Sequence, residues 1–127
     1  ETAALVECDG YKIGQVMHNL LSNAVRYSAD RTTILISLRN ELIKTGEHHK
    51  QGVKIAVSDQ GVGIPEDELE SVFDKFTQSS KTKTGAGGTG LGLAICHEII
   101  SAHHGKIWAQ NNSESGATFS FFLPYKQ

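Results

Sequence analysis

The segment Thr84-Gly-Ala-Gly-Gly-Thr-Gly-Leu-Gly-Leu93 crowds five glycines against the start of a helical pattern carried by Leu91, Ala94, Ile95, Ile99 and Ala102. Glycine costs a helix about 1 kcal/mol relative to alanine, so glycines gathered at a helix entrance call for a reason. Two are open. The stretch is either a mobile linker or a place where backbone amides and a helix dipole approach an anion closely. Lys75, Lys81 and Lys83 lie just upstream, and no acid falls between Lys75 and Gly92, which favours phosphate.

Other phosphate motifs fit less well. Gly85-Ala-Gly87-Gly-Thr-Gly90 matches G-x-G-x-x-G in letters, but a dinucleotide fold needs a buried strand before it and an acid roughly 20 residues after it. The preceding Gln78-Ser-Ser-Lys-Thr-Lys-Thr84 is polar, and the downstream strand carries no acid at its end. A P-loop closes with Gly-Lys-Ser/Thr, whereas Gly90 is followed by Leu91. A protein-kinase glycine loop joins two strands, and this one opens a helix.

A chain of 127 residues forms one domain able to bury roughly two-thirds of its unfolded surface. Apolar content of 39% and charged content of 20% describe an ordinary soluble globule, and a net charge of −2 speaks against nucleic acid as a main partner. No apolar run approaches the roughly 18 residues of a membrane span, so a cytoplasmic setting without direct membrane contact is expected. Cys8 and Cys96 lack ligand spacing and are expected to be buried, reduced thiols. A start at Glu1 suggests a domain cut from a longer protein, which could itself be a membrane-bound sensor.

Along the chain, Ala3–Glu7 reads as a short strand and Asp9 as a helix cap. Ile13, Val16, Met17, Leu20, Leu21, Ala24 and Val25 follow the helical template and predict a helix ending near Tyr27-Ser28. Asn19, Asn23 and Arg26 line up on its other face, as a solvated stripe or a functional one. Thr32–Leu42 and Val53–Asp59 read as strands around a polar hairpin, Lys44–Gln51, in which His48-His49 are taken as exposed. The period of two aims Asp59 at the apolar side of its strand. A carboxylate there needs hydrogen-bond donors. With Gly61 and Gly63 following, it is either a turn starter or a corner that accepts an exocyclic amine. Pro65–Phe73 predicts a short helix, the segment after the glycines a helix to about His104 with Gly105 as cap, and Ile107–Ala109 with Ala117–Leu123 a hairpin.

In order, His18-Asn-Leu-Leu-Ser-Asn-Ala-Val-Arg-Tyr-Ser28, Asp59-Gln-Gly-Val-Gly-Ile64, Phe73-Asp-Lys-Phe76 and Gly88-Thr-Gly-Leu-Gly-Leu93 resemble four boxes. These are the N, first glycine, F and second glycine boxes of the ATP-binding catalytic domain of two-component sensor histidine kinases, the Bergerat-type fold. The resemblance covers nearly the whole chain. It implies an α+β two-layer sandwich: a mixed sheet of about five strands covered on one face by about three helices, with a lid over residues 77–88.

It also implies roles. Asp59 binds the adenine amine, Gly61, Gly63 and Ile64 lie against the ring, and Thr118 reaches it through water. Asn23 holds Mg²⁺, with Asn19 beside it. Arg26 meets phosphate oxygens, and Tyr27 and Phe76 line the nucleotide. Gly88, Thr89, Gly90, Leu91, Gly92 and Leu93 surround the phosphate chain, with Lys81 and Lys83 from the lid. Asn19, Asn23 and Lys83 carry the catalytic assignment, and ATP and Mg²⁺ are the implied cofactors. The reaction implied is γ-phosphoryl transfer to a histidine on a separate dimeric helical domain of the same full-length protein, with a response regulator receiver domain downstream.

The chain departs from the family pattern at two places. Gln60 stands where asparagine is usual, and Thr77-Gln78 follows the F box where many members carry an arginine. These departures leave room for an alternative, a nucleotide-binding regulatory module without transfer. Related ATPases place a water-activating glutamate four residues before the metal-binding asparagine. This chain has Asn19 there, an amide that accepts no proton near neutrality. His18 sits roughly 100° away around the helix. The six histidines lack the His-Glu-x-x-x-Pro setting of an acceptor, so the phosphoacceptor domain is expected to lie elsewhere.

Overall fold

The computed structural model describes residues 8–28, 30–46, 48–74 and 91–125. The first helix, α1, spans Gly10–Tyr27, and its cap is Asp9, whose Oδ1 accepts from the Lys12 N–H at 3.2 Å. That hydrogen bond satisfies one of the donors a helix start leaves over. Val16, Leu20 and Ala24 are its buried stripe. The helix stops where expected, with the Ser28 N–H bonded to the Ala24 carbonyl.

Strands β1 (Leu35–Thr45) and β2 (His48–Ser58) form a long hairpin turned at Gly46, which takes a positive φ of 64°. The polar stretch expected as a loop is therefore largely strand. Glycine at the turn frees the chain to reverse there, so the ladder extends to Thr45↔His48. His48 and His49 are exposed, as expected. Beyond Asp59, two 3-10 turns (Glu66–Glu68 and Ser71–Phe73) replace the short helix expected over Pro65–Phe73. Helix α2 (Gly92–Ala102) then leads to β3 (Lys106–Asn111) and β4 (Ala117–Pro124).

Among the described residues the sheet has four strands in the order β1-β2-β4-β3, every pairing antiparallel. The expected mixed sheet of five is thus seen as four antiparallel strands, and the strand read at Ala3–Glu7 lies outside the described residues. Pairs Val53↔Leu123, Ile55↔Phe121 and Val57↔Phe119 turn one face toward α1 and α2. There they close a core with Val16, Leu20, Ala24, Cys96, Ile99 and Ile100. Phe73 joins edge-on, its ring 6.1 Å from Phe119 at 83°. The described part is an α+β sandwich of one sheet and two α-helices.

The glycine read as the end of α2 has another reason to be glycine. His104, not Gly105, takes the left-handed conformation (φ 61°), and the Gly105 N–H returns to the Ile100 carbonyl at 2.9 Å. A Cβ on Gly105 would lie 2.1 Å from the Phe122 carbonyl oxygen, so β4 leaves no room for a side chain. Cys96 is buried as expected, whereas Cys8 is exposed, because it stands ahead of the first buried turn of α1.

Candidate functional site

Asp59 closes β2 and is 5% exposed, one of two buried polar side chains among the described residues. The donors such a carboxylate requires are backbone groups. Oδ1 accepts from the Gly61 N–H at 2.9 Å and from the Ala117 N–H at 3.2 Å. The Asp59 N–H donates to the Ala117 carbonyl at 2.9 Å, and its own carbonyl accepts from Asn112 Nδ2 at 2.8 Å. Oδ2 accepts from no protein donor among the described residues. A buried acid whose other polar atoms are all engaged thus offers one acceptor to a ligand.

The loop after Asp59 is fixed by its neighbours. A Cβ on Gly61 would sit 2.1 Å from the Tyr27 carbonyl oxygen, so the end of α1 presses directly on this backbone. Gly63 has φ 75°, and a Cβ there would be 3.0 Å from Asn111 Oδ1. Both glycines were expected to make way for a ring; the protein itself already requires them. Asn111 then grips Ile64 at two points, Oδ1 accepting from its N–H at 2.8 Å and Nδ2 donating to its carbonyl at 2.6 Å. Gln60 reaches the other way, its Oε1 accepting from the Thr33 N–H at 3.1 Å. The longer amide therefore ties the α1–β1 connection to the corner.

Thr118 is placed differently from expectation. It pairs with Ser58, one residue out of phase with Asp59, so the strand alternation sends its hydroxyl to the opposite face of the sheet. There Thr118 Oγ1 lies 2.5 Å from Asn112 Oδ1 and 3.0 Å from Ser58 Oγ. Ala117 is the β4 residue that meets the Asp59 carboxylate. The described hydrogen bonds thus give Thr118 a supporting place behind the strand, and the contact through water expected of it belongs to the proposed site.

The polar stripe of α1 divides by role. Asn19 Nδ2 donates to the Gly92 carbonyl at 3.3 Å, joining α1 to the first turn of α2. Nearby Cys96, fully buried, has its thiol pushed up to about 11 by desolvation, which a hydrogen bond with Asn19 partly opposes. Asn23, one turn on, is half-buried, and its amide has no partner among the described residues. Arg26 is exposed, its guanidinium 5.9 Å from the centroid of the half-buried Tyr27 ring. Among the described residues a Cβ on Gly92 would meet nothing within 4 Å. Leu91 and Leu93 flank it, half-buried. Phe76, Lys81, Lys83, Gly88, Thr89 and Gly90, with the lid over 77–88, lie outside the described residues.

Asn111, Asn112 and Ser58 were not singled out by sequence, and Gln60 was noted only as a departure from the family pattern. Two adjacent asparagines at a strand end read equally well as turn residues, and nothing local announces that they grip β2 and its loop, some 47 to 54 positions away.

A two-layer sandwich with a buried acid held by backbone N–H groups at a strand end fits a nucleotide-binding class of domain. Residues 8–127 match the model of the histidine kinase-, DNA gyrase B- and HSP90-like ATPase family, and the chain belongs to that family. The sensor histidine kinase WalK of Bacillus subtilis is 42% identical over 125 residues, covering 96% of this chain and 19% of WalK. The sensor protein KdpD of Clostridium acetobutylicum is 42% identical over 125 residues, 98% of this chain and 13% of KdpD. The chain therefore spans less than a fifth of either relative. Among solved structures, the mycobacterial sensor histidine kinase MprB superposes with a TM-score of 0.78 at 27% identity, over 95% of this chain and 77% of that one. The nucleotide-free catalytic domain of histidine kinase ThkA gives 0.75 at 35% identity, over 96% and 73%. This is the ATP-binding module of the sensor-kinase type, and no helix among the described residues is long and apolar enough to cross a membrane.

Proposed function

We propose that this domain binds Mg·ATP and passes the γ-phosphoryl group to a histidine on a separate helical phosphoacceptor domain of the same full-length protein, within two-component signalling. The observation that carries the reading is the Asp59 carboxylate, buried and held through Oδ1 by two backbone N–H groups, with Oδ2 left to accept an adenine amine. ThkA has been crystallised with the response regulator TrrA, which supports a receiver domain as the downstream partner.

The residues present fit a magnesium ion. Among the described residues no cluster of three acid, histidine or cysteine ligands exists. Asn23 instead offers a single neutral oxygen, the kind of partner suited to an ion held mainly by phosphates and water. Bound there, the metal would supply neutralising charge for the phosphates. Asn23 would hold it, Arg26 stands at the same helix end as a further cation, and Asn19 secures the wall formed by α2. In the transfer, an imidazole nitrogen of the partner domain attacks the γ-phosphorus in line, a P–N bond forms, the bond to the β,γ-bridging oxygen breaks, and ADP leaves. Lys81 and Lys83 are proposed to approach the transferring group from the lid, with Phe76 and the Gly88–Gly90 segment closing over the nucleotide. With an amide at Asn19 instead of a glutamate, water is left without a base, so hydrolysis stays slow.

Calorimetric titration of Mg·ATP into the domain tests binding, and Asp59→Asn should weaken it about tenfold or more. Labelled ATP mixed with the domain and its helical partner should then yield acid-labile, base-stable phosphoprotein. Absence of binding heat rejects the site, and binding without label under any condition rejects the transfer.

A further inference from the structure

Asp59 stands one residue past the end of β2, where its carbonyl has lost the strand partner that would ordinarily fix it. The Ala117 N–H, which in the ladder would answer it, donates to Oδ1 instead at 3.2 Å, and the Gly116 backbone (φ 85°) passes so close that a Cβ there would lie 2.1 Å from the Asp59 carbonyl oxygen. The vacancy in the ladder is filled by a side chain: Asn112 Nδ2 donates to the Asp59 carbonyl at 2.8 Å. The same nitrogen lies 3.0 Å from Ser58 Oγ and 3.2 Å from the Ser115 carbonyl, while the Asn112 N–H closes the turn on the Gly116 carbonyl at 3.0 Å.

The amide is itself held from behind. Asn112 Oδ1 can only accept, so the single proton of Thr118, 2.5 Å away, is committed to it. Ser58 must then donate its own proton to Thr118 Oγ1 across 3.0 Å. Thr118, Asn112 and Ser58 form a closed ring in which each donates to the next, an arrangement in which neighbouring hydrogen bonds polarise one another. The ring sits on the face of the sheet opposite the carboxylate it steadies.

Resting on the reading that Asp59 accepts a base amine, we infer that Asn112 is the positioning residue for that recognition. By standing in for the missing strand neighbour it orients the Asp59 backbone, and with it the line along which Oδ2 meets the purine edge. Asn112 makes no contact with the ligand; its effect is on selectivity for purines that carry the amine.

The test is titration of the Mg²⁺-loaded domain with ATP and with purine riboside 5′-triphosphate, which lacks only the amine. The parent protein is expected to prefer ATP by about tenfold or more, the scale of one hydrogen bond to a charged acceptor. In Asn112→Ala that preference should fall to about threefold or less while affinity for the amine-free analogue stays near the parent value. Thr118→Val, a substitution suited to a strand, removes the proton that fixes Asn112 Oδ1 and should lower the preference in the same direction by a smaller factor. It carries the test should Asn112→Ala fail to fold. A preference unchanged in both variants, or equal weakening toward both nucleotides, overturns the inference and leaves Asn112 as ordinary turn support. A parent protein that binds ATP without discriminating removes the amine contact at Asp59, and the inference with it.

Discussion

The carbonyl oxygen of Tyr27 lies where a side chain on Gly61 would begin, 2.1 Å from the position of its Cβ. The last turn of the helix that carries Asn19 and Asn23 is thereby in backbone contact with the loop that carries Asp59. In the proposed site, that contact would set the distance between the phosphate end and the base end.

Gly61→Ala must push α1 and the loop apart. Crowding of this kind costs about 1–3 kcal/mol, and because the proposed site puts the two ends of the nucleotide on the displaced elements, ATP affinity should fall as well. Urea denaturation and calorimetry on the same variant check both. Stability and affinity equal to those of the parent would show that the two elements yield independently.

Asn23→Ala should separate binding from folding. Its amide has no protein partner among the described residues, so stability should stay within about 0.5 kcal/mol of the parent. The magnesium-dependent part of ATP affinity should drop about tenfold, read as the ratio of dissociation constants with and without the metal. If that ratio matched the parent, the metal assignment would move to another residue.

Cys96 gives a pH dependence. Burial keeps its thiol neutral up to about 11 in the folded protein, against an ordinary 9.0. A raised folded value means the stabilisation is complete below about 9 and is lost as pH rises toward 11, because the unfolded chain gives up its proton first. The loss of stability across that interval should be shallower in Cys96→Val than in the parent, measured by denaturant midpoint. The same burial should protect Cys96 from alkylation at pH 8 while exposed Cys8 reacts, a contrast that mass spectrometry resolves.

Phe121 is fully buried on the helix-facing side of β4. Phe121→Ala should cost about 3–5 kcal/mol, since transfer energy and a cavity add. A smaller loss in thermal and urea unfolding would mean the core collapses readily around the gap.

Much of this was legible in the residues because it is local. The pattern from Ile13 to Val25 marked the body of α1 and its end near Tyr27-Ser28, and Asp9 announced its cap. Asp59 was recognisable as a buried acid in need of donors from the period of two alone. What escaped was long-range. Gly61, Gly63 and Gly105 were noticed as glycines, but the atoms that forbid a side chain, on Tyr27, Asn111 and Phe122, come from distant segments. The bonds of Thr118 to Ser58 and Asn112 were likewise out of reach, because a motif does not say which face of the sheet each of its letters occupies. The β1–β2 hairpin was longer than its polarity suggested, because Gly46 allows a turn tight enough for polar residues on both sides to keep pairing.

His103 offers one last mechanical point. Its Nδ1 lies 2.8 Å from the Ile99 carbonyl while its Nε2 accepts the Asp9 N–H at 3.0 Å, so the far end of α2 is bolted to the doorway of α1. With Asn19 fastened to the Gly92 carbonyl at the near end, the two helices share a pair of rivets and cannot slip past each other without shearing one. A load applied at the start of α1 is therefore shared with α2 at both of its ends.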